Sequence, residues 1–162
     1  MKLRFRSLVL IAVQAFFLAS FARGHAQKVA ITISAPQAEV KAGAPVLLHI
    51  VMTNLSRQDI YVPKNAARAR AERYYLISVF DSEGNAPTTT QYGKAIRYPG
   101  AEAMSRLMVI LKPGEKLEED STISDIFDMK SAGTYKVIVT RPSPLEHNVI
   151  LKSNEISITV TN

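Results

Sequence analysis

Two histidines outside the first 26 residues, His49 and His147, are the natural starting point for bond-making chemistry. They lie 98 positions apart. A hydrolytic triad needs a histidine beside an activated serine and an orienting acid. No Gly-x-Ser-x-Gly elbow supplies the serine. His-x-x-x-His spacing for zinc is missing as well. The chain has no cysteine, which excludes disulfides, a thiolate nucleophile, iron–sulfur clusters and cysteine-based zinc sites. The expectation is therefore no catalytic residue, no metal and no cofactor.

The charged residues gather in two places. Acids cluster as Glu115, Glu118, Glu119, Asp120, Asp125 and Asp128, and the turn Asp81-Ser82-Glu83-Gly84-Asn85 adds more. Hard oxygen donors suit calcium, but neither stretch has the spacing of a 12-residue calcium loop. A charged edge strand that resists edge-to-edge pairing accounts for the first cluster. The bases Lys64, Arg68, Arg70 and Arg73 form the sharpest surface feature, suited to an anionic glycan, a phosphate group or an acidic protein patch. Aromatic interleaving of the kind that grips single-stranded nucleic acid is missing, so no nucleic acid is expected. Tyr92, Arg97 and Tyr98 sit in a long irregular stretch, Pro87–Ala103, where a rigid scaffold would present them.

These groups must be carried by something. The first 26 residues read as a leader: Lys2, Arg4 and Arg6, then 15 largely apolar residues from Leu8 to Ala22, then Gly24 and Ala26 before a cleavage point. A spanning helix wants about 20 apolar residues, so cleavage and export are expected rather than anchoring. The chain should end up periplasmic or extracellular, with no membrane span after cleavage. The formal charge of the whole chain is +6. Removing Lys2, Arg4, Arg6 and Arg23 leaves 16 basic against 14 acidic residues over 27–162, a formal +2. The basic character is thus mostly leader.

From residue 27 onward the apolar pattern has period two. Val29, Ile31 and Ile33 alternate with Ala30, Thr32 and Ser34. Val46, Leu48, Ile50 and Met52 share one face of a central strand, and Ile60-Tyr61-Val62-Pro63 reads as an edge strand. Further strands are expected at Tyr74–Asp81, Arg106–Leu111, Thr134–Thr140, Val149–Leu151 and Ile156–Val160, and the acidic Leu117–Ile126 reads as an outer strand with a following loop. Asn65–Arg73, rich in alanine and capped by Asn65, predicts a two-turn helical loop. Strands this short, with turn signals every 8–12 residues or so, predict one all-β domain over 27–162. It should be an antiparallel immunoglobulin-like β-sandwich of about seven or more strands with one short helical loop.

At Ala132-Gly133-Thr134-Tyr135-Lys136-Val137 the chain resembles the tyrosine corner of immunoglobulin-like sandwiches, in which a phenol bonds an upstream backbone group. The resemblance gives Tyr135 that structural role. With no tryptophan and no inter-sheet cysteine pair, the likeness is to bacterial immunoglobulin-like or fibronectin-type modules rather than antibody domains. A second likeness is to the bacterial intracellular proteinase-inhibitor domain. It rests on Thr53-Asn54-Leu55-Ser56, the turn at Asp81–Gly84, Leu111-Lys112-Pro113-Gly114-Glu115 and Gly133-Thr134-Tyr135. It lacks the tryptophan expected between them, and no inhibitory residue is carried over.

The functional expectation is an exported, non-enzymatic binding module that meets an unknown protein or anionic glycan through Arg68, Arg70, Arg73, Tyr92, Arg97 and Tyr98. The alternatives are an inhibitor-like protein presenting residues 87–103, and a small carbohydrate- or calcium-dependent adhesion module.

Overall fold

The structure is a computed structural model; it describes residues 27–64, 71–96 and 107–162. Alternating apolar residues generate the strands. In β1 (Val29–Ser34), Val29, Ile31 and Ile33 are buried. In β3 (Leu47–Asn54) the buried set is Leu48, Ile50, Met52 and Asn54. β7 (Lys116–Thr122) turns Leu117, Glu119 and Ser121 inward. These three strands form one layer in the order β1-β3-β7, antiparallel throughout.

The second layer runs β2 (Glu39–Lys41), β10 (Ile156–Thr161), β8 (Gly133–Pro142), β5 (Leu76–Phe80), with β9 (Ile150–Lys152) also paired to β8. Ile77 and Val79 of β5, Tyr135, Val137, Val139 and Arg141 of β8, and Ile158 and Val160 of β10 point inward. A two-stranded ribbon of β4 (Ile60–Lys64) and β6 (Leu107–Leu111) adds Ile60, Val62 and Leu111 to the same core. The strand connectivity, with the first, third and seventh strands in one layer and β8 between β5 and β10 in the other, is that of an immunoglobulin-like sandwich in outline.

One pairing is parallel. β2 runs alongside β10 with Val40 opposite Val160, reinforced where Thr159 donates its amide to the Ala38 carbonyl at 2.8 Å. The sequence pattern misses β2 because Val40 is its single buried residue. Two short helices also depart from the expected layout. α1 (Gln91–Ile96) lies inside the stretch read as irregular, and α2 (Ile123–Ile126) takes the place of the loop expected after the outer strand within Leu117–Ile126. The turn into α2 has a local cause: Val46 donates its amide to Ser124 Oγ at 3.0 Å and accepts from the Ile123 amide at 2.9 Å. The ladder partner of β7 is thereby exchanged for a cap on the helix. Of the helical loop expected at Asn65–Arg73, residues 65–70 lie outside the described residues, and Ala71–Arg73 is a 3-10 turn.

Three side chains fix the turns and edges of the sandwich. Asn54, fully buried, donates from Nδ2 to the carbonyls of Gln58 and Leu111, both at 2.8 Å. Its Oδ1 accepts from the Ser56 amide at 2.9 Å and the Ser56 hydroxyl at 2.7 Å. Asn154 closes the outer edge of β1, accepting from the Ile33 amide at 2.8 Å and donating to the Ile33 carbonyl at 3.0 Å. Tyr135 donates its hydroxyl to the Ser131 carbonyl, four residues upstream, at 2.9 Å. Burial first, then the charges of Asp81 and Asp128, push its phenol above the usual range.

Asn54→Ala leaves the buried Leu111 carbonyl without that donor and the Ser56 amide without its acceptor, while the Gln58 carbonyl keeps the Ser56 hydroxyl at 2.9 Å. The expected loss is about 2–4 kcal/mol in urea unfolding, whereas Leu55→Ala, at an exposed neighbour, should leave the midpoint nearly unchanged.

Candidate functional site

The richest polar constellation forms where the 3-10 turn, α1, β7 and β8 meet. Ala71 is fully buried, and its carbonyl accepts from the amides of Tyr74 and Tyr75 at 2.9 and 3.1 Å. That turn fixes both tyrosines at the entry to β5 and aims Glu72 at β7. Glu72 accepts from the Tyr92 hydroxyl at 2.6 Å and from the Ser121 hydroxyl at 2.9 Å, so one carboxylate ties α1 to β7. A charge-assisted bond to a carboxylate is stronger than a neutral one.

Deeper in, Arg141 is 5% exposed and Glu119 is 6% exposed. The Arg141 guanidinium lies 4.9 Å from the ring centre of Tyr75 and 5.4 Å from that of Tyr74, close enough for cation–π attraction to both. Burial pushes the Tyr75 phenol up to about 12; the Arg141 cation opposes that rise and the Glu119 carboxylate adds to it. Tyr75 therefore stands between a cation on the second layer and an anion on the first.

The sequence-predicted residues fare differently. Arg68, Arg70, Arg97 and Tyr98 lie outside the described residues, and Arg73 ends the 3-10 turn. Tyr92 is half-buried against the core with its hydroxyl on Glu72, so its ring is not a free stacking platform. The described part of the long stretch is held down. Thr90 donates its amide to the Ile126 carbonyl at 2.9 Å, and Asp128 donates to the Thr88 carbonyl at 2.8 Å. Gly93 is wedged so closely that an added Cβ would sit 2.3 Å from the Ile126 carbonyl oxygen.

His49 packs on the outer face of the first layer, with Nδ1 2.7 Å from Asp120 and Nε2 3.8 Å from Glu118. His147 is exposed. Among the described residues, no three acidic or histidine side chains converge in a way that could hold a metal ion. No helix among them is long and apolar enough to cross a membrane.

Glu72, Glu119, Ser121 and Arg141 escaped the sequence reading, although a signal was present. Extending the period-two face of Tyr135, Val137 and Val139 by one step reaches Arg141, and Leu117 leads likewise to Glu119 and Ser121. An edge strand explains Glu118 and Asp120, which face outward, but not Glu119, which is buried.

No protein-family model matches the chain, and no curated protein does. Among solved structures, the chain is similar to the CARDB domain of the PF1109 protein from Pyrococcus furiosus, described in complex with di-metal ions. The identity is 13%, the TM-score 0.40, and the match covers 82% of this chain and 87% of that one. A β-glucosidase from Listeria innocua matches at 12% identity and TM-score 0.39, covering 83% of this chain but 16% of the enzyme. BslA, a bacterial hydrophobin, matches at 12% identity and TM-score 0.37 over 84% of this chain and 97% of that one. Likenesses this distant carry no functional argument, and the site is read from its own residues.

The raised phenol gives a sign for alkaline stability. Tyr75 keeps its proton longer folded than unfolded, so its contribution is intact below pH 10 and is lost as pH climbs toward about 12. In that window wild type should lose about 1.4 kcal/mol per pH unit more than Tyr75→Phe. Urea midpoints measured at pH 9, 10 and 11 check this; parallel curves for the two proteins would refute it.

Proposed function

We propose that this chain is an exported, non-catalytic interaction module of the bacterial immunoglobulin-like or fibronectin type. Recognition is by segments carried at one end of a rigid sandwich. Export is supported by the basic, apolar and small-residue sequence of residues 1–26.

The observation that carries the reading is the convergence of anchors. Lys64, the last residue of β4, is paired with Leu107, the first of β6. The two strands therefore deliver and receive the flanking segments side by side. The Tyr92–Glu72 bond joins the other two anchors, α1 and the 3-10 turn. In sequence, residues 65–70 and 97–106 hold Arg68, Arg70, Arg97, Tyr98 and Arg106 against one acid, Glu102. Arginine suits an anionic partner because its planar fork meets carboxylate or sulfate groups in pairs. The chemistry of binding fits this end better than bond making does, since Glu72, Ser121 and Tyr92 are spent on one another.

The inhibitor reading asks residues 87–103 to stand free in a protease cleft. Its described half is bound to α2 and to the 3-10 turn, which weighs against it.

The test uses residues 27–162, which hold the whole described core. Arg68→Glu, Arg70→Glu and Arg73→Glu together should lower retention on a heparin column and recovery of co-purifying envelope proteins by about tenfold. The thermal midpoint should stay put. Unchanged recovery with an unchanged fold would sink the proposal.

A further inference from the structure

Sulfur chemistry in this chain falls to methionine alone, because there is no cysteine. Tryptophan is missing too, which leaves the thioether as the side chain most readily taken by a two-electron oxidant. The structure separates the methionines sharply. Met52, on the inward face of β3, has 0% of its surface exposed, and Met129 has 4%. Met108, on β6, has 52%. Met104 lies outside the described residues. A peroxide must reach the sulfur to react with it, and of Met52, Met108 and Met129 the fold opens Met108 to water and packs the other two away.

The surroundings of Met108 decide what an added oxygen does. The β4–β6 ribbon is apolar on both faces, with Ile60, Val62 and Leu111 in the core and Tyr61, Met108 and Ile110 exposed. The register joins the exposed set into one tile: Met108 lies directly opposite Pro63, and Ile110 directly opposite Tyr61. Directly opposed residues on antiparallel strands share a face. A sulfoxide at Met108 has water beside it, so its polar oxygen is solvated and no packed neighbour is displaced. At Met52 the same oxygen would sit in a dry core and cost the fold dearly.

We propose that Met108 is a site of reversible oxidation by peroxide, and that its sulfoxide turns the outer face of the ribbon from apolar to polar while the fold stays intact. In the step, a sulfur lone pair attacks one peroxide oxygen. The S–O bond forms as the O–O bond breaks, and the sulfur gives up two electrons. The departing hydroxide takes the proton from the transferred oxygen and leaves as water. Methionine sulfoxide reductase reverses the change. A flexible apolar side chain thus becomes a polar one at the centre of an apolar tile, which weakens the hold of that tile on any apolar surface.

Limited treatment of the purified chain with hydrogen peroxide, followed by trypsin and mass spectrometry, tests this. Met52, Met104, Met108 and Met129 fall on four different tryptic peptides, so each is read separately. The Met108 peptide should gain one oxygen at least about tenfold faster than the Met52 and Met129 peptides, and unfolding in urea should close that gap. Protein oxidised at Met108 should melt like untreated protein and elute earlier from a hydrophobic-interaction column. Methionine sulfoxide reductase should restore its retention. Met108→Leu keeps an apolar side chain without the sulfur, and its retention should survive the same treatment. Equal rates at Met108 and Met52 in the folded protein overturn the site. A Met108→Leu protein that loses retention as wild type does, or a lowered melting midpoint once Met108 is oxidised, overturns the switch.

Discussion

Every tie between the layers of this sandwich is noncovalent, because the chain has no cysteine. Dispersion and burial alone hold two sheets together without choosing how one slides over the other. Directional bonds must make that choice. Asn54 makes it where β3 meets the ribbon. Its side chain satisfies the carbonyls of Gln58 and Leu111 and the amide and hydroxyl of Ser56 in one fully buried position. Its backbone adds two more bonds, donating to Glu115 and accepting from Gly114. The turn after β3 and the turn after β6 are thus locked to each other, and both the start of β4 and the end of β6 inherit their positions from that lock. A satisfied buried amide specifies one arrangement, since any slip leaves its donors and acceptors in a dry interior.

The same logic recurs between the two layers with charge in place of amide. Arg141 on β8 and Glu119 on β7 belong to different layers, and Tyr75 senses both. Buried charge is weak evidence for stability, because desolvation offsets the Coulomb gain. Its value lies in intolerance of displacement: a buried cation over two aromatic rings has few equivalent positions. Glu72 extends the arrangement outward to Ser121 and Tyr92. The anchors from which residues 65–70 and 97–106 depart therefore rest on a rigid base, and rigid anchors lower the entropy a recognition segment loses on binding.

Period two made most of the fold legible before any coordinates. Val29-Ile31-Ile33, Val46-Leu48-Ile50-Met52 and Tyr135-Val137-Val139 are all buried. Where the reading fell short, the determining contacts were remote. β2 exists because Val40 meets Val160, 120 residues away, in a three-residue strand too short to carry a pattern. α2 forms because Val46 captures Ile123 and Ser124. The polar interior was hidden by residue type rather than by distance. Glu119 and Arg141 occupy inward positions of regular strands, and a charged residue at such a position is read as a surface one unless periodicity is allowed to outrank polarity. Tyr92 shows the converse: an aromatic in a loop suggested an exposed platform, and its hydroxyl is bonded inside.

The ribbon brings the two scales together. Its inner face is packed in the core, and the amide lock holds the start of β4 and the end of β6. Its outer face is therefore held at a fixed orientation to the body. An apolar tile on a mobile hairpin would fold back on itself to escape water. On a ribbon whose inner face is already committed to Ile60, Val62 and Leu111, that escape would require unpacking the core. The exposure of Tyr61, Met108 and Ile110 is thus enforced by the same contacts that stabilise the domain. A lasting apolar surface of this kind is a liability in solution unless something covers it in use.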